Sequence, residues 1–84
     1  MKINEVLKKQ IIYRSQHRGT KEMDLIIGNF VMRYIDDLNF NDLKDLEHFL
    51  QIEDEILYEC YFKKEKYNRM PINKITKLYK NFKL

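Results

Sequence analysis

Several residue types are scarce in this chain of 84 residues, which has one cysteine, one proline, two glycines and no tryptophan. The lone cysteine, Cys60, excludes an internal disulfide bond and a cysteine-based zinc site, and this usage fits a reducing compartment. The sequence also shows no nucleophile paired with a base, no set of metal ligands and no phosphate-binding loop. A catalytic role and a bound metal are therefore not expected.

No run of about 18 apolar residues is present, so the sequence offers no membrane span. The stretch MKINE at the start lacks the apolar core of a secretory signal, and we expect a cytoplasmic protein. A chain of 84 residues makes one domain at most, and such a domain hides only a little over about 60% of the surface that its unfolded chain exposes. We therefore expect a single helical domain over residues 1–84, without a large buried active site.

Charges of opposite sign occupy different parts of the chain. Residues 1–21 carry six Lys or Arg and one acid, residues 22–59 carry two and eleven, and residues 60–84 carry eight and one. A nucleic-acid module usually concentrates basic groups on one face without so acidic a centre, because phosphate neutralisation supplies most of its affinity. The acidic middle is better explained by a protein partner.

Apolar residues recur at three- and four-residue spacing along almost the whole chain, which predicts five helices, no strands and no internal repeat. The predicted fold class is all-α, a small five-helix bundle. The first helix is expected to run to about Arg18. We expect Asn39 or Asn41 to cap the third helix. Pro71 is expected to lie in the first turn of the last helix. The predicted core positions are Ile3, Val6, Leu7, Ile11, Met23, Ile26, Ile27, Phe30, Val31, Tyr34, Ile35, Leu38, Leu43, Leu46, Phe49, Leu50, Ile56, Leu57, Cys60, Tyr61, Ile72, Ile75, Tyr79 and Phe82.

The stretch HRGTKEMD, which begins at His17, places one of the two glycines inside a charged run. In a structural interpretation, Gly19 stops the first helix, because only glycine takes the left-handed conformation there without a side-chain penalty. Thr20 then caps the second helix, and Glu22 and Asp24 lie in its positive first turn. This interpretation leaves open why two acids and two arginines gather at one exposed corner.

The same stretch carries a family resemblance. The pattern R-G-x-x-E-x-D, followed by the apolar helix LIIGNF, resembles the succinate dehydrogenase assembly factors of the SdhE type, which promote flavinylation. The segments RYIDDLNFNDLKDLEHFLQ and EDEILYECY resemble the family's continuation, so the likeness covers about residues 14–61. Cys60 occupies a place where the family commonly carries tryptophan. Residues 63–84, a basic loop and the last helix, have no matching counterpart and inherit no function from the resemblance.

The resemblance implies a protein that binds the flavoprotein subunit of succinate dehydrogenase, or in some bacteria of fumarate reductase, before that subunit joins its complex. The covalent bond to FAD then forms in the partner, and this chain is expected to be a monomer that is no enzyme and binds no cofactor stably. Arg18 is expected to be an exposed charge that offers its planar fork of donors to the partner. The implied partner-binding residues are Arg14, His17, Arg18, Gly19, Glu22 and Asp24.

Two other functions compete with this one. A small nucleic-acid-binding or regulatory protein would use the eight Lys and Arg of residues 60–84, and a small enzyme is the weakest option because no catalytic set is found. In a lysine-rich chain a basic cluster is more often a solvated helix face. We therefore expect Lys74, Lys77 and Lys80 to face solvent outside the apolar stripe of the last helix, with no nucleic acid bound.

Overall fold

The computed structural model describes residues 3–65 and 67–84, which form five α-helices joined by short turns. The helices are α1 (Ile3–Ser15), α2 (Lys21–Tyr34), α3 (Phe40–Phe49), α4 (Asp54–Lys63) and α5 (Lys74–Asn81). Short 3₁₀ helices follow α2 at Ile35–Asp37 and precede α5 at Tyr67–Arg69. These residues contain no strand, so the predicted all-α class with five helices is confirmed.

An aromatic cluster joins α2, α3, α4 and α5 at the centre of the molecule. The ring centroid of Phe30 lies 5.4 Å from that of Phe49, 5.2 Å from that of Tyr79 and 5.4 Å from that of Phe82. The Tyr79 hydroxyl donates a hydrogen bond of 2.7 Å to the Leu57 carbonyl on α4. Burial raises the pKa of Tyr79 well above its usual value, so the hydroxyl keeps its proton and this bond. The pairs of Phe30 with Tyr79 and Phe82 are edge-to-face, and since such pairs add about 0.5–1.5 kcal/mol each beyond area burial, they hold the end of the chain on the core.

The apolar periodicity predicted most of this core, but the stripe on α1 is narrower than expected. Ile3 and Val6 are exposed, and the residues that α1 buries are Leu7, Ile11 and Ser15. Their four-residue spacing follows a single line along the helix, and Ile12 beside it is only partly buried against the core. The buried apolar residues are Leu7, Ile11, Met23, Ile26, Ile27, Phe30, Val31, Ile35, Leu38, Leu43, Leu46, Phe49, Leu50, Leu57, Cys60, Met70, Ile75, Tyr79 and Phe82.

The last helix begins later than the sequence predicted. Asn73 caps it, since its side-chain oxygen accepts a hydrogen bond of 3.0 Å from the backbone N–H of Thr76, and the helix starts at Lys74. The prediction that Pro71 lies in the first helical turn was therefore wrong. Ile72 also precedes the cap and is 96% exposed, so it does not belong to the apolar stripe.

The other helix ends show which polar residues act as caps. The Thr20 hydroxyl accepts a hydrogen bond of 3.2 Å from the N–H of Met23, which confirms the predicted cap of α2. On α3 the cap is Asn39, not Asn41, and Asp42 reaches back to complete a capping box. The first helix ends at Ser15 instead of continuing to about Arg18. The residues between Ser15 and α2 are thus free to form a turn.

A second glycine, in the interior of α2, lets α1 pack closely against that helix. Gly28 is buried, and a Cβ atom placed on it would lie 3.3 Å from Cγ of Gln16 and 3.7 Å from the carbonyl oxygen of Ser15. Ser15 is itself fully buried and donates its hydroxyl hydrogen to the Ile12 carbonyl at 2.7 Å. The absence of a side chain at Gly28 therefore sets how the end of α1 lies on α2, and this contact positions the turn between them.

Candidate docking corner

The turn between α1 and α2, with its flanking residues 14–24, forms a corner of the molecule that we call the motif corner. Gly19 has φ of +123°, which L-residues rarely adopt, and no other atom lies within 4 Å of a Cβ built on it. The prediction that this turn depends on glycine is confirmed, although the first helix ends at Ser15 and not beside Gly19. The space beside Gly19 is open, so backbone conformation alone explains the need for glycine.

Inside this turn Asp24 serves the local structure. Its Oδ1 accepts a hydrogen bond of 2.5 Å from the backbone N–H of Arg18, which closes the loop from the first turn of α2 back to the residue before Gly19. Thr20 caps the same helix from the opposite side of the glycine. Together these two side chains satisfy N–H groups on both sides of the glycine.

The side chain of Arg18 points into the molecule, contrary to the expected exposed charge. Only 9% of it is exposed, and its guanidinium contacts the loop between α3 and α4. It donates to the carbonyls of Leu50 and Ile52, the latter at 2.8 Å. Nε and one Nη also donate to Oδ1 of Asp54, at 2.9 and 2.6 Å. A buried guanidinium is stable only when its donors are satisfied, and this loop provides those acceptors.

The arginines of the motif corner therefore pair with acids from elsewhere in the chain. Arg18 is paired with Asp54, the first residue of α4, and Arg14 lies 3.7 Å from the carboxylate of Glu47 on α3. Neither Glu22 nor Asp24 makes these ion pairs. The clustered charges thus come from α1, α3, α4 and the α1–α2 turn. Arg18 links this turn to the start of α4.

The outer surface of the motif corner is formed by His17, Arg14 and neighbouring residues. The His17 ring stacks on the Tyr13 ring with centroids 4.0 Å apart, and its Nδ1 lies 2.7 Å from the Tyr13 carbonyl oxygen. Because a carbonyl can only accept, Nδ1 carries the hydrogen of this bond. An open hollow of about 260 Å³ is lined by Tyr13, Arg14, His17, Arg18 and Leu50.

The predicted site residues thus divide into two groups. Arg14, His17, Gly19 and Glu22 are exposed. Arg18 and Asp24 instead hold the shape of the turn. Asp54 was not among the predicted site residues, and no local pattern could have shown its contact with a residue 36 positions earlier.

Two negative observations limit what else the described residues hold. Within residues 3–65 and 67–84, no three His, Cys, Asp or Glu side chains are grouped so that they could bind a metal ion. No helix in the same part of the chain combines the length and the apolar character needed to cross a membrane.

Comparison with known proteins identifies the sequence family of this chain. The sequence family described as the flavinator of succinate dehydrogenase, Sdh5, matches residues 9–83. The chain therefore belongs to the Sdh5 family, and the resemblance seen in the sequence is confirmed. The match includes the last helix, for which the sequence resemblance gave no expectation.

Curated relatives agree with this family. The FAD assembly factor SdhE of Wigglesworthia glossinidia brevipalpis is 32% identical over 76 residues, which cover 90% of each chain. The protein of the same name from Acetobacter pasteurianus is 34% identical over 55 residues, 66% of this chain and 50% of that protein. The mitochondrial succinate dehydrogenase assembly factor 2 of Arabidopsis thaliana is 34% identical over 56 residues, 67% of this chain and 30% of that protein. The chain thus spans half or less of the last two relatives. No solved structure matches it.

Proposed function

We propose that this chain binds the flavoprotein subunit of succinate dehydrogenase and promotes the covalent attachment of FAD to that subunit. The observation that carries the proposal is the family match over residues 9–83, within which the glycine turn and its hydrogen bonds are intact. Relatives named for FAD assembly and for succinate dehydrogenase assembly support the same partner. The nucleic-acid alternative finds no support in these comparisons.

The proposed mechanism requires no catalytic residue in this chain. A binding protein raises the population of a competent conformation only by binding it more tightly than the alternatives, and a 100-fold difference in affinity corresponds to about 2.7 kcal/mol. The motif corner would supply this differential binding through Arg14, His17, Glu22 and the bare backbone at Gly19. Arg18 and Asp24 would act indirectly, because their hydrogen bonds fix the shape that the partner contacts.

In this proposal FAD is held by the partner and this chain binds no cofactor stably. The hollow that Arg14, His17 and Arg18 line is open, whereas a pocket for a small ligand buries most of the ligand's surface. An open surface of this kind is better suited to binding another protein than to binding a dinucleotide. The chain would act as a monomer in a one-to-one complex in the cytoplasm.

The proposal is tested by capture of the flavoprotein from the cell's own proteins, combined with in-gel fluorescence of covalently bound flavin. We expect the tagged chain to capture the flavoprotein and deletion of its gene to lower the covalent flavin. Gly19→Arg should abolish capture, because it places a long side chain on the open side of the turn. Gln10→Arg, which adds the same side chain at an exposed position on α1, is the matched control and should bind normally. Unchanged flavin in the deletion strain would refute the proposal.

A further inference from the structure

The helix α2 has a second apolar line on the side away from the core. Leu25 and Met32 are 57% and 52% exposed, and their seven-residue spacing places them on the same face, two turns apart. Asn29 lies between them and is also exposed. Single exposed apolar residues are common on protein surfaces, but an aligned pair on a helix is typical of a surface that contacts another protein.

A continuous groove follows this line. One hollow of about 370 Å³ is bordered by Gln16 and Lys21 at one end and by Met32 at the other. A second hollow of about 300 Å³ shares Asn29 and Met32 with the first and continues to Phe82. We call the two together the α2 groove. Gly28, which has no side chain, lines the first hollow between Asp24 and Met32.

The α2 groove is continuous with the motif corner and carries a cation at each end. Lys21 and Asp24 line its first hollow and belong to the corner, while Arg33 lines the second hollow. Among residues 3–65 and 67–84, neither Lys21 nor Arg33 forms an ion pair. The carboxylate of Asp24 is already engaged with the backbone of Arg18. The groove therefore offers an apolar centre between two cations that lack an anionic partner.

We infer that the α2 groove seats an apolar segment of the flavoprotein whose flanking residues carry carboxylates. This inference rests on the proposed function and extends the interface from the motif corner along the whole length of α2. Two arguments favour this occupant. The groove shares Lys21 and Asp24 with the corner that the family resemblance assigns to docking, and acidic flanks on the segment would complement Lys21 and Arg33. A second copy of this chain would bring the same two cations to the contact, and like charges oppose such pairing.

The test compares four variants by titration against the purified flavoprotein. Met32→Glu and Leu25→Glu place a charge in the apolar centre and should weaken binding at least tenfold, while Met32→Leu should bind like the parent. Ile72→Glu makes the same apolar-to-acidic change at a residue that is 96% exposed and outside the groove. It should leave the affinity unchanged. Thermal melts should be alike for all, because every substituted side chain is exposed.

The possible outcomes distinguish a failure of the groove inference from a failure of the proposed function. If the parent and Met32→Glu bind the flavoprotein equally well, the inference that the groove binds the partner is wrong, and the proposed function stands. A parent that captures no flavoprotein would overturn both. Self-association of the parent in sedimentation experiments that Met32→Glu abolishes would identify a second copy as the occupant and would also overturn the inference. If Met32→Glu lowers the melting temperature, the uncharged Met32→Gln and Leu25→Gln should still weaken binding.

Discussion

At the scale of single residues, Arg18 supplies hydrogen bonds that the end of α3 would otherwise lack. The last carbonyls of a helix and the loop beyond it have no partners within the helix, and the guanidinium reaches those of Leu50 and Ile52. A cation at this end of a helix is also favoured by the helix dipole. The planar fork contacts both carbonyls and the carboxylate of Asp54 together, an arrangement that a lysine could not reproduce.

We therefore expect Arg18→Ala to lower the free energy of unfolding by about 2–3 kcal/mol, because it leaves buried acceptors without a donor. Arg14→Ala is the matched control. Its side chain is 54% exposed and 3.7 Å from Glu47, so its loss should cost less than about 1 kcal/mol. Urea denaturation of both variants measures the difference. An Arg18→Ala variant as stable as the parent would show that the side chain is not held as described.

At the scale of helices, the local sequence pattern predicted some features of the fold and missed others. The core helix, the cap at Thr20 and the glycine turn were predicted, because each depends on neighbours within a few positions. The inward orientation of Arg18 was not, since its acceptors lie 32 to 36 residues away. Ile72 was wrongly predicted to lie on the apolar face of the last helix. Apolar periodicity cannot show that Asn73 caps this helix, so that the helix begins only after Ile72.

The basic face of α5 stays a prediction that can be tested at this scale. Lys74 lies 3.3 Å from Asp42 on α3, and the ammonium of Lys80 lies 5.4 Å from the Tyr67 ring centroid. Because these are exposed contacts, the triple change of Lys74, Lys77 and Lys80 to Gln should cost less than about 1 kcal/mol of stability. Flavoprotein capture should stay within twofold of the parent.

The contrary result for these lysines is a specific one. If the parent binds DNA of any sequence with an affinity that falls steeply with salt, and the triple variant does not, then α5 is a nucleic-acid surface. Filter binding at two salt concentrations, run beside the capture experiment, distinguishes the two outcomes.

At the scale of the whole molecule, the segregated charges of the sequence meet in the fold. Within residues 3–65 and 67–84, four ion pairs join a basic end of the chain to its acidic middle: Lys8–Asp36, Arg14–Glu47, Arg18–Asp54 and Lys74–Asp42. The sequence interpretation assigned the acidic middle to a partner. In the structure, part of this acidic middle instead forms ion pairs within the chain. These pairs hold both basic ends against the central helices.

This arrangement predicts a stability that depends on salt. Raising the ionic strength from about 0.01 to 0.15 M shortens the screening length from about 30 to 8 Å, which weakens the attraction between the segments. Since exposed pairs contribute 0–1 kcal/mol each, we expect the free energy of unfolding to fall by about 1 kcal/mol in total. Urea denaturation at the two salt concentrations measures this. Equal or greater stability at the higher concentration would contradict the role given to the four pairs.

The contact between Arg18 and the α3–α4 loop also bears on the order of folding. It requires the α1–α2 turn and the start of α4 to be in place first, and contacts between distant segments form only after the intervening loop closes. We expect the motif corner to be among the last parts of the chain to take shape, so that losing Arg18 speeds unfolding more than it slows folding. A flavoprotein that contacts this corner would then recognise only fully folded copies of its assembly factor and would ignore immature ones.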